Sequence, residues 1–291
     1  MRYSLYLLIL FSLLFQFSCS QPVTENHVFT TTIIDDLGRK VIIPVKPQRI
    51  VSITPSITEL LYTFTDTSKI VGRSVWCDYP AAVKKVSAVN SYPLDIESIT
   101  LLQPDIVFAK TGMISIQEIE KLEKLSIAIV VLKFDLLNEI QQNVRKLVSY
   151  THGDSLKMEE WFKQFSLSPD TLSYTKTKRC IVVTSISPIY VFGENTYVSE
   201  LLKLSGGVNI VQDTKAAYPS VDIEYVLRSN PEVYIFTSLE QQNLFFESYP
   251  LLKKTDGYKN KQTYHIDDSV LSRPGVRLPQ LNQSIKSILL K

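Results

Sequence analysis

The sequence predicts an α/β protein built as two pseudo-equivalent α/β lobes joined by a long helical connector, with a ligand cleft between the lobes. Three observations carry the prediction. Short β-branched runs alternate with amphipathic helical patterns in both halves of the chain, which is the order of βαβ units. The stretch 97–106 is echoed at 224–233: each has Glu seven residues before Pro, then an acid and a β-branched residue opening a strand. At about 150 residues per domain, a chain of 291 residues holds roughly two units, each large enough for its own core.

Composition narrows the function classes. Lys plus Arg total 31 against 29 Asp plus Glu, a formal charge of +2, so there is no field for gathering phosphate backbones, and no nucleic-acid partner is expected. Hydrophobic residues at 45% argue against disorder. Nine glycines are under half the usual share of about 7%, and none forms a GxGxxG or Gly-Lys-Ser/Thr phosphate cradle. GxSxG and HExxH are absent as well. His27, His152 and His265 are scattered, with no acid, base or metal-ligand spacing among them, so no catalytic residue, resident cofactor or metal site is expected.

Residues 1–18 read as an export signal: Arg2, then an apolar run over 5–17 broken by Ser12 and Gln16, shorter than the roughly 20 residues of a membrane span. The run ends at Ser18-Cys19, a small residue before cysteine as at a bacterial lipoprotein processing site. Cys19 is the expected lipidation point, although Gln16 stands where such sites usually carry an aliphatic residue. Residues 19–48 form a tether and a leading hairpin over 31–43, turning at Asp36-Leu37-Gly38. The N-terminal lobe spans 49–133. It opens with a strand at 49–53 and a helix from Ser56, where Glu59 has capping-box spacing. A strand at 70–75, a helix at 95–102, a strand at 106–109, a helix at 115–125 and a strand at 127–132 complete it.

The connector spans 134–178. Leu136, Ile140, Val144, Leu147 and Val148 have helical spacing, and after His152-Gly153 a second helical stretch carries Leu156, Met158, Trp161, Phe162 and Phe165. The C-terminal lobe, 179–291, restarts with a strand at 180–185, a helix at 198–204 closed by Gly206-Gly207, a helix near 222–227 and a strand at 233–237. Cys77 and Cys180 fall in different lobes, so both are expected as buried thiols rather than a disulfide. A crevice between such lobes, at the ends of the strands, is where an α/β protein holds a ligand.

Six stretches in order resemble one family: 52–59, Val75-Trp76-Cys77-Asp78-Tyr79-Pro80, 97–106, Gly193-Glu194-Asn195-Thr196, Gly206-Gly207-Val208-Asn209, and Ser272-Arg273-Pro274-Gly275-Val276-Arg277. From residue 49 onward the chain is similar to the periplasmic substrate-binding proteins for vitamin B12 and ferric siderophores. The resemblance implies two α/β lobes joined by one long helix, and a corrinoid, ferric siderophore or haem-like ligand in the cleft. It further implies delivery to an ABC permease dimer with its ATPase subunits, by a monomer on the periplasmic side of the cell envelope, tethered through the lipid anchor. Ser168-Pro169 falls where that helix should still run, so a kink is expected there.

Within the family the B12-binding members are the most similar. The resemblance places Trp76 and Tyr218 at aromatic ligand-contact positions, with Tyr92 within one residue of a third. Lys110 occupies a fourth position that is aromatic in a B12 receptor, a departure that leaves room for an anionic ligand. Arg273 and Arg277 stand at the start of the last helix, where the family motif faces the cleft. Glu97 and Glu224, the acids of the internal echo, match the surface glutamates that dock such receptors onto their permease. A haem-binding receptor of the same type is the alternative ligand reading, and an enzyme on a two-lobed α/β scaffold is the competing class.

Overall fold

The computed structural model describes residues 29–164, 177–212 and 214–291. The export signal, Cys19, most of the tether, Phe165 and Ser168-Pro169 lie outside them. Strands β1 (Thr30–Ile34) and β2 (Lys40–Pro44) form the expected antiparallel hairpin, turning through Asp35 to Arg39. The turn is fastened to the lobe behind it. The backbone N–H of Asp36 donates to the Val131 carbonyl (3.0 Å), while the Asp36 carboxylate accepts from the Lys133 N–H (2.7 Å) and the Asn143 amide (2.5 Å).

The N-terminal lobe contains β3 (Ile50–Ser52), α1 (Pro55–Phe64), β4 (Ile70–Ser74), β5 (Ser87–Val89), α2 (Ile96–Leu101), β6 (Ile106–Lys110), α3 (Ile116–Lys124) and β7 (Ile129–Leu132). Its five strands are all parallel, in the order β5-β4-β3-β6-β7. Helix α3 begins with a capping box, in which Ser115 and Glu118 satisfy each other's backbone N–H groups. The box expected at Ser56 and Glu59 does not form. Helix α1 starts at Pro55 with Thr54 as its N-cap, and Glu59 is buried a full turn in, paired with arginines more than 200 residues away. The spacing fits a cap, but two guanidinium partners hold the carboxylate more strongly than one backbone N–H.

Helix α4 (Leu137–Thr151) and helix α5 (Ser155–Gln164) form the described part of the connector. The single long helix implied by resemblance is replaced by a corner. His152 adopts the left-handed conformation (φ 50°), its N–H donates to Ser149 O (3.3 Å), and the Gly153 N–H donates to Val148 O (2.8 Å), the two bonds of a Schellman ending. Gly153 is required here, because a Cβ would lie 2.5 Å from the Phe64 carbonyl oxygen. Asp154 then caps α5 by accepting from the Lys157 N–H (2.9 Å). Both helices pack on α1.

The C-terminal lobe comprises β8 (Lys178–Ile186), β9 (Ile189–Val191), α6 (Tyr197–Leu204), β10 (Gly207–Asn209), β11 (Ser220–Val221), α7 (Ile223–Ser229), β12 (Val233–Phe236), α8 (Leu239–Ser248), α9 (Asp256–Lys259), β13 (Thr263–His265), α10 (Asp268–Leu271) and α11 (Leu278–Leu289). The order is β11-β9-β8-β12-β13, with β10 also on β8 and β9 antiparallel to both of its neighbours. The sequence echo reappears in three dimensions. Ile50 pairs with Ile106 as Cys180 pairs with Val233. Asp105 accepts from the Arg49 N–H, and Glu232 accepts from the Arg179 N–H, both at 2.9 Å. The Arg49 guanidinium caps the end of α2 at Leu102 and Gln103, as Arg179 caps that of α7 at Asn230.

Strand alternation divides each sheet into two faces. Val51, Val107 and Val131 pack under α2 and α3, and Ile181, Val183 and Phe236 pack against α8. The opposite faces, Ile50, Phe108 and Val130 in one lobe and Cys180, Val182 and Ile235 in the other, join through α1, α4, α6 and α11 into one continuous core. Cys77 and Cys180 are both free and buried. Among the described residues no helix is long and apolar enough to cross a membrane.

Candidate functional site

Strand order in the first sheet reverses between β3 and β6, and ligands of open parallel sheets bind beyond the carboxyl ends of the strands at such a point. Lys110 ends β6 there, its N–H donating to Thr54 Oγ1 at 3.1 Å just beyond β3. Its ammonium reaches Asp135 across 3.4 Å, at the entry to the connector. Tyr218 belongs to the other lobe. Its phenol is pushed up to about 12, chiefly by burial and secondly by Asp135, although 40% of its surface is open. Its ring packs edge-on against Phe192 (5.2 Å), which packs against Tyr197 (6.0 Å), whose N–H donates to the Asp135 carbonyl (2.5 Å). Lys110 and Asp135 thus form a polar floor where β6 ends and the connector begins, and Tyr218 reaches that segment through Phe192 and Tyr197.

Trp76 stands on the loop after β4, 64% exposed, beside exposed Val75 and Tyr79. Arg73 holds this loop from within its own lobe, donating to the carbonyls of Ser74 (3.0 Å) and Cys77 (3.1 Å). Tyr92, on the loop after β5, is 86% exposed. Arg273 and Arg277 are brought to the Trp76 loop rather than to the Lys110 floor. Arg277 forks onto Glu59, Nε to Oε2 at 3.0 Å and Nη2 to Oε1 at 2.6 Å, and its guanidinium lies 4.9 Å from the Tyr79 ring centre. Arg273 binds Glu59 Oε1 (3.2 Å) and both Asp78 carboxylate oxygens. Burial pushes the Glu59 carboxyl up, against the opposing pull of both arginines. The Arg273 hydrogen bond holds that of Asp78 below the usual carboxylate range.

Glu97 and Glu224 occupy matching places. Each is exposed in the first turn of its helix, two residues after an Asp N-cap that accepts a backbone N–H, Asp95 from Ser98 and Asp222 from Tyr225. The echo is longer than the stretch that announced it. Tyr92-Pro93 precedes Asp95-Ile96-Glu97 as Tyr218-Pro219 precedes Asp222-Ile223-Glu224. Sequence reasoning had no signal for Asp135, and it assigned Glu59 to a local cap. Asp78 lay unremarked within the Val75 to Pro80 stretch. A separate hollow of about 550 Å³ against β13, lined by Tyr264, His265 and Ser284, shares no residue with the Lys110 floor or the Trp76 loop.

The model of a family described as periplasmic binding protein matches residues 50–270. The vitamin B12-binding protein of Vibrio vulnificus (strain CMCP6) is 27% identical over 236 residues, 79% of this chain and 85% of that protein. That of Yersinia pestis (strain Pestoides F) is 28% identical over 199 residues, 67% and 71% of the two chains. Among solved structures, the periplasmic vitamin B12-binding protein BtuF of Vibrio cholerae superposes with a TM-score of 0.74 at 25% identity, covering 85% of this chain and 98% of its own. A periplasmic heme-binding protein from Pseudomonas aeruginosa shares the fold, with a TM-score of 0.72 at 20% identity over 84% and 92% of the chains.

Proposed function

The chain belongs to the periplasmic binding protein family, and from that premise we propose that it captures a corrinoid between its lobes and hands it to an ABC importer. The observation that carries the ligand class is charge pairing at the cleft. Each of the three cations expected to meet ligand is already matched: Lys110 by Asp135, Arg277 by Glu59, and Arg273 by Glu59 and Asp78. An anionic catecholate, or a porphyrin with carboxylates, gains most from an unpaired cation. A corrinoid presents a broad apolar face edged by neutral amides, and the exposed Trp76 and half-open Tyr218 offer area for it at little entropic cost. The B12-binding relatives support the same class.

Delivery rests on Glu97 and Glu224, which present one carboxylate per lobe at equivalent helix starts, as a permease dimer with two equivalent basic pockets requires. Tethering rests on Ser18-Cys19; the intact mass of the purified full-length protein is expected to show loss of residues 1–18 and acyl chains on Cys19. A thermal-shift panel with cyanocobalamin, cobinamide, haemin and ferric siderophores tests the ligand class. At 100 times its dissociation constant the cognate ligand stabilises by about 2.7 kcal/mol. Stabilisation by haemin or a ferric siderophore, with none by either corrinoid, overturns the proposal.

A further inference from the structure

The segment that carries Arg273 leaves the C-terminal lobe after α10 and crosses to the N-terminal lobe before α11 begins. Gly275 lies against the Ser56 backbone, where an added Cβ would stand 3.1 Å from the Ser56 oxygen, and the Val276 carbonyl accepts from Trp161 Nε1 (2.9 Å). From this position Arg273 reaches three parts of the opposite lobe at once: Glu59 on α1, the Asp78 carboxylate, and the Trp76 carbonyl at 3.4 Å. Its side chain is 19% exposed, whereas Asp78 is 56% exposed and Trp76 64%.

We infer that Arg273 is a positioning residue: it fixes the Trp76 loop from the far lobe and acts on ligand through Trp76 rather than by touching it. The Trp76 loop is held on one side by Arg73, which moves with its own lobe, and on the other by Arg273, which does not. The orientation of the indole is thereby tied to the relation between the lobes. Only a planar fork with several donors spans Glu59, Asp78 and a carbonyl together, so lysine is not an equivalent here. The inference rests on the proposed role of Trp76 in holding ligand, but the geometry that supports it does not.

Two readouts separate the two claims. In ligand-free protein, time-resolved fluorescence anisotropy reports on the two tryptophans, buried Trp161 giving the slow decay and Trp76 the fast one. Arg273→Met is expected to enlarge the fast component, and Asp78→Asn, which leaves Glu59 and Arg277 paired, to do so in part. With cyanocobalamin as probe, Arg273→Met is expected to weaken binding about tenfold when Trp76 is present and less than about twofold in a Trp76→Ala background, the non-additivity of groups acting as a unit. Equal losses in both backgrounds make Arg273 a direct ligand contact and overturn the inference. So does unchanged anisotropy in Asp78→Asn, which decides the matter if Arg273→Met does not fold. If wild-type protein fails to bind cyanocobalamin, the ligand reading falls, while the anisotropy still tests the positioning role.

Discussion

Tyr92-Pro93 in the N-terminal lobe and Tyr218-Pro219 in the C-terminal lobe precede the same Asp-Ile-Glu, yet the two tyrosines end in different surroundings. Asp95 comes two positions after Pro93, whereas Asp222 comes three after Pro219. The longer spacing accommodates β11, which pairs with β9, and Tyr218 settles on Phe192. Tyr92 has no such support and stands in solvent. Beyond the tyrosine the two lobes are alike, each with an Asp-capped helix, an exposed glutamate, and a turn locked by Arg49 or Arg179. The lobes thus agree at the exposed glutamates, which the proposed docking role requires, and differ at the tyrosines, which the proposed ligand role allows.

The largest effect should come from the part the lobes share. Reversing both docking charges, Glu97→Lys with Glu224→Lys, is expected to lower uptake in cells by about a hundredfold, since like charges juxtaposed across an interface cost several kcal/mol. Ligand affinity of the purified double variant should stay within about twofold, because both residues lie at exposed helix starts apart from the Lys110 and Asp135 pair and the Trp76 loop. Equal uptake loss from each single reversal sharpens the equivalence of the lobes; loss from one alone breaks it, and full uptake by the double variant removes the docking role.

Next in size is the interlobe pair that has no counterpart within either lobe. Arg277→Met leaves Glu59 buried with one partner fewer and should cost about 3 kcal/mol in urea unfolding at pH 7. The sign with pH is set by Glu59, whose carboxyl is raised in the folded chain. Its contribution is favourable below the unfolded value and is lost as pH rises through the folded one. Removing Arg277 raises it further, so the variant's deficit should shrink on acidification from pH 7 toward about 5. Asp78 runs the other way: held low by Arg273, it stabilises above the ordinary aspartate range and loses that contribution as pH falls. A deficit that grows on acidification contradicts this account of Glu59.

The smallest effect measures how faithfully the internal repeat is built. Asp105 accepts two backbone N–H groups, from Gln48 and Arg49, whereas Glu232 accepts one, from Arg179. Asp105→Ala should cost about 2 kcal/mol and Glu232→Ala about 1 kcal/mol by chemical denaturation. Reversal of that order breaks the correspondence between the two turns.

Most of the frame was legible because it is written locally. Short β-branched runs mark β3, β6, β8 and β12, a helical pattern from Ser115 marks α3, and Pro104 and Pro231 mark the turns into β6 and β12. The short strands β9 and β11 were not legible: three and two residues long, they are defined by pairing with β8 and with each other rather than by pattern. The corner at His152 was half legible, since His152-Gly153 divides two helical patterns while the resemblance argued for continuity. At the site, Trp76, Tyr218 and Lys110 came from matched motifs, but their surroundings did not. Glu59 has cap spacing and serves an ion pair, and Asp135 gains its partners only when β6 brings Lys110 and α6 brings the Tyr197 N–H. Spacing along the chain reports neighbours a turn away, whereas these partners are set by topology.

The most direct measurement is calorimetric titration of the purified protein with cyanocobalamin, alongside Trp76→Ala and Tyr218→Ala. The account predicts one molecule bound per chain. It also predicts that each substitution weakens binding by about tenfold, one aromatic face being removed from each lobe, with Tyr92→Ala costing less than about threefold. Binding that is unaffected by both Trp76→Ala and Tyr218→Ala, or a wild-type protein that ignores cyanocobalamin and binds haemin, would contradict a corrinoid held between the lobes.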